Sequence, residues 1–439
     1  MSSPLFAALG RYLDKNRERL HMPGHKGLLP SPLDGCAPFD VTELPDTGCL
    51  YDGEGAPVET EALFSKLYGS GATLLSTGGS TLCIQAMLAL HCPEGSKVLM
   101  ARAAHHAAVN AAALLNLEPV WLFPDESTGI QTPFRISPQA VETALSQNPD
   151  VSAVYLTSPD YFGTICDIKT IADVAHSHGK PLLVDNAHGA HLVFFQNIHP
   201  MALGADACCD SLHKTLPTLT GAALLHLKDA TLADEARRRM ATFGSTSPSY
   251  LIMLSADMLL PQWEALKRSY STLAQKVSQL RRHALKKGVW ATCANLQALA
   301  DPVRISLLFA AGQRDATLSL LQECGIEAEY LSARHIVLIP GPQNSLTPVE
   351  KLINRLPALH EVPSLSQPVC QPQRVRSLRR AVLSPAERLP LSDALGRIAA
   401  APVSPCPPGV ALLMPGEVLN LETANALKSA GITSFFVIK

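Results

Sequence analysis

Between about residues 58 and 230 the chain alternates short apolar runs, each closing on turn residues, with stretches of helical character. No other feature restricts its possible folds as strongly. The runs are LYGSGATLLSTGGST, SKVLMARAAHH, LEPVWLFPDE, VSAVYLTSPDYFG, KPLLVDNAHGAH and GADACCDSLHK, with segments such as STLCIQAMLALH and IKTIADVAHSHG between them. A strand buried on both faces reads as a continuous apolar run, and parallel neighbours need a helical crossover. The pattern predicts an α/β fold with a mostly parallel sheet covered on both faces. Ligands of such sheets bind beyond the carboxyl ends of the strands, where these polar clusters fall.

Beyond residue 230, RRRMATFGSTSPSYLIMLSADMLL and EALKRSYSTLAQKVSQLRRHALKK read as long helices. PVRISLLFA and ARHIVLIPG, with the helical ATLSLLQECG, suit a smaller α/β lobe, HEVPSLSQPVCQPQRVRS reads as a linker, and TSFFVIK is a closing strand. The 439 residues divide on this reading into an arm over 1–57, a large domain over 58–260, a helical connection with a small α/β domain over 261–368, and a last domain over 369–439.

Hydrophobic residues at 47% against 17% charged exclude a disordered chain. The formal charge of −2 gives no basic footprint for nucleic acid, so a small-molecule partner is expected. Eleven cysteines without a CxxC pair suggest reduced thiols rather than a disulfide framework or a zinc ribbon. The first twenty residues lack the uninterrupted apolar core of a signal peptide, and even LIMLSADMLL is broken by Asp257. A soluble, cytoplasmic protein with no membrane partner is expected.

The chemistry gathers at the ends of the runs. KPLLVD closes on Asp185, and Lys214 in DSLHKTLP follows the next run 29 residues later, about one crossover unit. Both can then emerge at one sheet edge. Such a carboxylate and amine are what pyridoxal phosphate requires, the amine to form a Schiff base and the carboxylate to keep the ring nitrogen protonated. Taken alone, the pair is equally an ion pair or a surface lysine. Gly78, Gly79, Ser80 and Thr81 in STGGST stand at a strand-to-helix turn, where N–H groups and hydroxyls bind a phosphate or merely cap a helix. Ser211 offers a further hydroxyl. His105 or His106, closing SKVLMARAA, is placed to stack on a planar ring. His188 and His191 in HGAH have no evident third ligand and HExxH is absent, so no metal is expected.

Taken together, HMPGHKG at 21–27, DVTELPDTG at 40–48, STGGST, VDNAHGAH at 184–191, SLHKTL at 211–216 and PCPPGVALLMPGE at 405–417 resemble the ornithine/lysine/arginine decarboxylase family. The resemblance runs in order along nearly the whole chain. It implies the aspartate aminotransferase fold, with a seven-stranded sheet in the large domain and smaller α/β domains after it, pyridoxal 5'-phosphate as cofactor, and decarboxylation of arginine, lysine or ornithine in polyamine biosynthesis. Residue by residue, it implies Lys214 as the Schiff-base lysine, Asp185 as partner of the pyridine nitrogen and His105 stacked on the ring. His188 would sit beside the cofactor, and Gly79, Ser80, Thr81, Ser211 and His213 would surround the phosphate. Lys214 or His213 would return a proton to Cα. Desolvation of the lysine favours the neutral amine that reaction needs.

The chain departs from the family pattern at Asn186, where a glutamate is expected, at Asp160 for threonine, at Cys406 for tyrosine, and at Gly48 and Cys49 for an acidic pair. These departures bear on the substrate, and Glu417 is a candidate for holding its basic end. With twenty residues ahead of HMPGHKG, a compact form without an extra N-terminal domain is expected, as a homodimer with active sites at its interface. An aminotransferase or lyase on the same scaffold, with Arg304 as carboxylate anchor, and a non-catalytic cofactor-binding homologue are the alternatives.

Overall fold

A computed structural model describes residues 1–123, 135–289, 300–359, 370–404 and 410–439. The strands among them are β1 (Ala72–Ser76), β2 (Lys97–Ala101), β3 (Glu118–Leu122), β4 (Val151–Thr157), β5 (Leu182–Asp185), β6 (Ala207–Ser211), β7 (Ala223–Leu227), β8 (Ile305–Leu308), β9 (Tyr330–Leu331), β10 (His335–Leu338), β11 (Ala386–Pro390) and β12 (Ser434–Ile438). The chain forms two compact units, Met1–His91 with Leu182–Ser269, and Cys92–Pro181 with Tyr270–Lys439.

In the first unit the strands lie in the order β1-β7-β6-β5. β5 and β6 run parallel, with Asp185 beside Cys209. β7 runs against both neighbours, so Ala223 faces Ser76 of β1 and Ser211 of β6. The carboxyl ends of β1, β5 and β6 therefore point the same way, and only β7 is reversed. Sequence reading missed β7, because GAALLHL closes on no polar cluster of the kind that marks the others. The helix Gly79–His91 buries Leu82, Cys83, Ile84, Ala86, Met87 and Leu88, which cover more than half of its circumference, a wider face than a surface helix buries.

Asp257, the charge inside an otherwise apolar run, has a structural explanation. Its carboxylate accepts the Phe6 N–H at 3.0 Å and the Thr60 hydroxyl at 2.7 Å, tying down the first turn of the helix Pro4–Asp14. Burial raises its pKa above the usual carboxylate range, since those donors repay only part of the lost hydration.

In the second unit β4, β2 and β3 are adjacent and parallel. An antiparallel sheet of β8-β10-β9 and a ribbon of β11 and β12 follow. The ribbon packs over an apolar core that includes Leu412, Leu413, Leu419, Leu427 and Val437. No helix among the described residues is long and apolar enough to cross a membrane.

Candidate functional site

The site is assembled in the first unit at the carboxyl ends of its parallel strands. β5 delivers Asp185, which is 2% exposed and accepts the Ala187 N–H at 3.1 Å. The turn that follows brings His188 to Lys214, whose Nζ lies 3.1 Å from Nε2 of His188. Lys214 stands on the short helix Leu212–Thr215 that begins where β6 ends. An apolar strand hands over to a helix there, so the amine is set at the sheet edge and half-buried.

His213 places Nδ1 3.0 Å from the Ala222 carbonyl. A carbonyl only accepts, so Nδ1 carries the proton and the neutral ring keeps a lone pair on Nε2. Returning a proton through Nε2 therefore requires the imidazolium. Beyond β1, Gly79 adopts φ +67° and its N–H donates to the Gly221 carbonyl at 2.9 Å. A left-handed residue here turns the chain straight from strand to helix, setting Ser80 and Thr81 in the first turn, where N–H groups lack intrahelical partners.

In the second unit, β2 is followed by His105, which caps the helix His106–Leu114 by accepting the Ala107 N–H on Nδ1 at 3.2 Å. Its ring centroid lies 3.9 Å from that of His106.

Four departures from the family pattern acquire physical reasons. Gly48 has φ +85°, and a Cβ there would sit 2.3 Å from the Glu54 carbonyl oxygen and 2.8 Å from Gly55 Cα. Backbone crossing accounts for that glycine, and Cys49 pairs with Glu54 in the same turn. Asp160 is 7% exposed, and its Oδ1 accepts the Phe162 and Thr164 N–H groups at 2.9 and 2.8 Å, so it holds its own turn. Asn186 donates to Asp210 at 2.6 Å. Cys406 lies outside the described residues.

Glu417 does not serve as a free anchor for a basic substrate. Its two oxygens each lie 2.7 Å from a guanidinium nitrogen of Arg102, and Oε2 also accepts the Met414 N–H. Arg304 is fully buried, with Asp301 at 3.7 Å and the Tyr161 carbonyl at 3.4 Å, as befits a residue entering β8.

Sequence reading missed the buried group His199, Cys208, Asp210 and His226, whose metal-ligating atoms lie within 4.8 Å of one another. Only strand pairing reveals it, because His226 of ALLHL is set opposite Cys208 by the register.

The described residues fit pyridoxal phosphate on an observation of the fold itself. Ser211 is fully buried at the end of β6, yet its Oγ has no hydrogen-bond partner among the described residues. A buried hydroxyl left so is costly unless a ligand satisfies it, and a phosphate oxygen would. The amine of Lys214 and the carboxylate of Asp185 stand at the neighbouring strand ends.

The family model described as Orn/Lys/Arg decarboxylase, major domain, matches residues 3–310, and the one described as Orn/Lys/Arg decarboxylase, C-terminal domain, matches residues 358–429. The chain is 29% identical over 453 residues to the Bacillus subtilis protein YaaO, covering 97% of this chain and 94% of that one. It is 25% identical over 453 residues to the arginine decarboxylase of Bacillus subtilis, covering 96% and 92%. The solved structure of Escherichia coli constitutive lysine decarboxylase shares the fold, with a TM-score of 0.78 at 18% identity over all of this chain and 82% of the other.

Proposed function

This chain belongs to the Orn/Lys/Arg decarboxylase family, whose members remove the carboxylate of a basic amino acid with pyridoxal phosphate, and we propose that Lys214, Asp185 and the phosphate-binding turns carry out that reaction here. The observation that carries the reading is the Lys214–His188 contact beside buried Asp185, with the orphan Ser211 hydroxyl on the next strand end.

When bound, the cofactor supplies an aldehyde that takes up an amine and a ring that accepts the electron pair released with CO2. Lys214 would hold the cofactor, yield it to the substrate amine and take it back. The contact between His188 Nε2 and Nζ of Lys214 keeps the amine oriented. Asp185, shielded from water, would hold a proton on the pyridine nitrogen, its negative charge favouring the protonated ring. Ser211, Gly79, Ser80, Thr81 and His213 would bind the phosphate. His105 would take the ring-stacking role that the family resemblance implies. Once the carboxylate has left, Lys214, or His213 as imidazolium, would return a proton to Cα.

The acceptor for the basic end of the substrate comes from outside the Arg102–Glu417 pair. We place the working form as a homodimer with sites at its interface. The support is the apolar surface that one copy leaves around HMPGHKG, where Leu20 is 91%, Met22 70% and Leu28 81% exposed. The nine described cysteines are all free thiols, which supports a reducing cytoplasm; a place in polyamine biosynthesis rests only on the amine such a decarboxylation would release.

Purified protein incubated with cofactor and a mixture of arginine, lysine and ornithine should yield one amine and CO2 by mass spectrometry. Keto acid instead would move the chain to the aminotransferases. Borohydride reduction should fix the cofactor to Lys214, and its retention in Lys214→Ala would refute the lysine assignment.

A further inference from the structure

A second polar cluster lies on the same strands of the first unit, completely buried. Cys208 and Asp210 are two residues apart on β6 and share a face. His226 on β7 stands opposite Cys208, and Thr73 on β1 stands opposite His226. Asp210 Oδ2 lies 3.1 Å from His199 Nε2 and 3.4 Å from His226 Nε2. Its other oxygen accepts from Asn186 Nδ2 at 2.6 Å. Burial alone would favour the protonated acid, but the two imidazoles hold Asp210 well below the usual carboxylate range.

The cluster reaches the site through the backbone that follows Asp185. Asn186 donates its N–H to the Cys209 carbonyl at 3.0 Å and its carbonyl accepts the Gly189 N–H at 2.7 Å. Four residues on, the Ala190 carbonyl accepts the hydroxyl of Tyr68 at 3.2 Å, and the Tyr68 ring lies 4.2 Å from that of His226. Segment 186–190 is thus tied to one cluster at both ends. Between the ties, His188 presents Nε2 to Lys214.

We infer that Asp210 is a positioning residue for the decarboxylation: its carboxylate anchors Asn186, fixes the turn carrying Asp185 and His188, and thereby holds the amine of Lys214 in place. The inference rests on the assignment of Lys214 above. It also accounts for Asn186. The carboxylate that the family pattern leads one to expect at position 186 stands across a 2.6 Å hydrogen bond, at position 210.

The same atoms do not make a metal site. The Met201 N–H donates to Nδ1 of His199 at 3.4 Å, so Nε2 bears the proton and donates to Asp210. Burial holds the Cys208 thiol protonated as well.

The test compares Asp210→Asn, Asn186→Ser and the exchange Asn186→Asp/Asp210→Asn in the holoenzyme. Measured are kcat, KM, thermal stability and the pH titration of the visible absorbance of the cofactor held by Lys214. Asp210→Asn should lower kcat roughly 10- to 100-fold, the usual cost of removing a partner behind a functional group, with KM little changed and the titration displaced. Asn186→Ser leaves Asp210 between its histidines and should do the same. The exchange moves the charge back across the hydrogen bond and should recover most of the lost kcat. Loss of stability with kcat and titration unchanged would overturn the inference, as would an exchange variant no better than Asp210→Asn. So would stoichiometric zinc in the wild type that Asp210→Asn loses. Should Asp210→Asn fail to fold, Asn186→Ser and the exchange decide alone. Wild-type protein with no borohydride-fixed cofactor on Lys214 would sink the lysine assignment instead.

Discussion

Glu417→Gln tests what the buried ion pair with Arg102 contributes. Both partners are almost inaccessible, Arg102 1% and Glu417 3% exposed. The guanidinium also donates to the Ala411 carbonyl at 2.7 Å, so the pair fastens residues 411–417 to the end of β2. Glutamine keeps one oxygen for Arg102. Its amide NH2, set where Oε2 stood, meets two donors, an Arg102 nitrogen and the Met414 N–H. Two hydrogen bonds to a charged group are lost at about 1.5–3 kcal/mol each, and a buried guanidinium is left without its counter-charge. The expected destabilisation is about 3–5 kcal/mol.

A chain of two units does not unfold as one two-state system, so the assay is amide hydrogen exchange read at Met414 and its neighbours. At tenfold per roughly 1.4 kcal/mol, protection there should fall about a hundredfold to several thousandfold. The double variant Arg102→Met/Glu417→Leu removes both charges and should be nearly neutral, because it spares the fold their desolvation. Unchanged exchange in Glu417→Gln would refute the argument. A double variant as damaged as the single would show that shape, not charge, is what the site requires.

Burial, and next the charge of Arg334, lowers His335 from 6.5 to about 4. The neutral ring is favoured in the fold, so its contribution is complete above pH 6.5 and is lost as pH falls toward about 4, roughly 3 kcal/mol in all. His335→Gln should flatten the acid limb of stability against pH, and an unaltered limb would refute this. Gly48→Glu should destabilise by about 1–3 kcal/mol from the left-handed backbone alone, before its Cβ meets Glu54, and wild-type hydrogen-exchange protection around Gly48 and Glu54 would contradict that geometry. Ser211→Ala should leave the cofactor-free protein as stable as before, because the hydroxyl has no partner there, yet weaken cofactor binding by roughly tenfold to a hundredfold. Reduced stability with unchanged affinity would mean that Ser211 serves the protein interior.

Alternation of apolar runs and crossover helices is local information, so six strands of the large sheet region and the carboxyl-end clusters were legible in the sequence. Asp185, Ser211 and Lys214 could be named because each stands at or just past a strand end that the pattern marks. The reversal of β7 was not legible, since a buried strand reads the same in either direction. Glu417 looked available because nothing near it in the chain is basic, and its partner lies 315 residues away. Gly48 looked like a change of substrate chemistry until the backbone of Glu54 was found against it. Asn186 looked like a lost charge until strand register brought Asp210 to its side chain. The sequence by itself determined which chemical groups stand at the strand ends. Tertiary structure alone decided which of those groups already hold one another, because burial forces each charge and donor to find a partner wherever the fold, not the chain, supplies one.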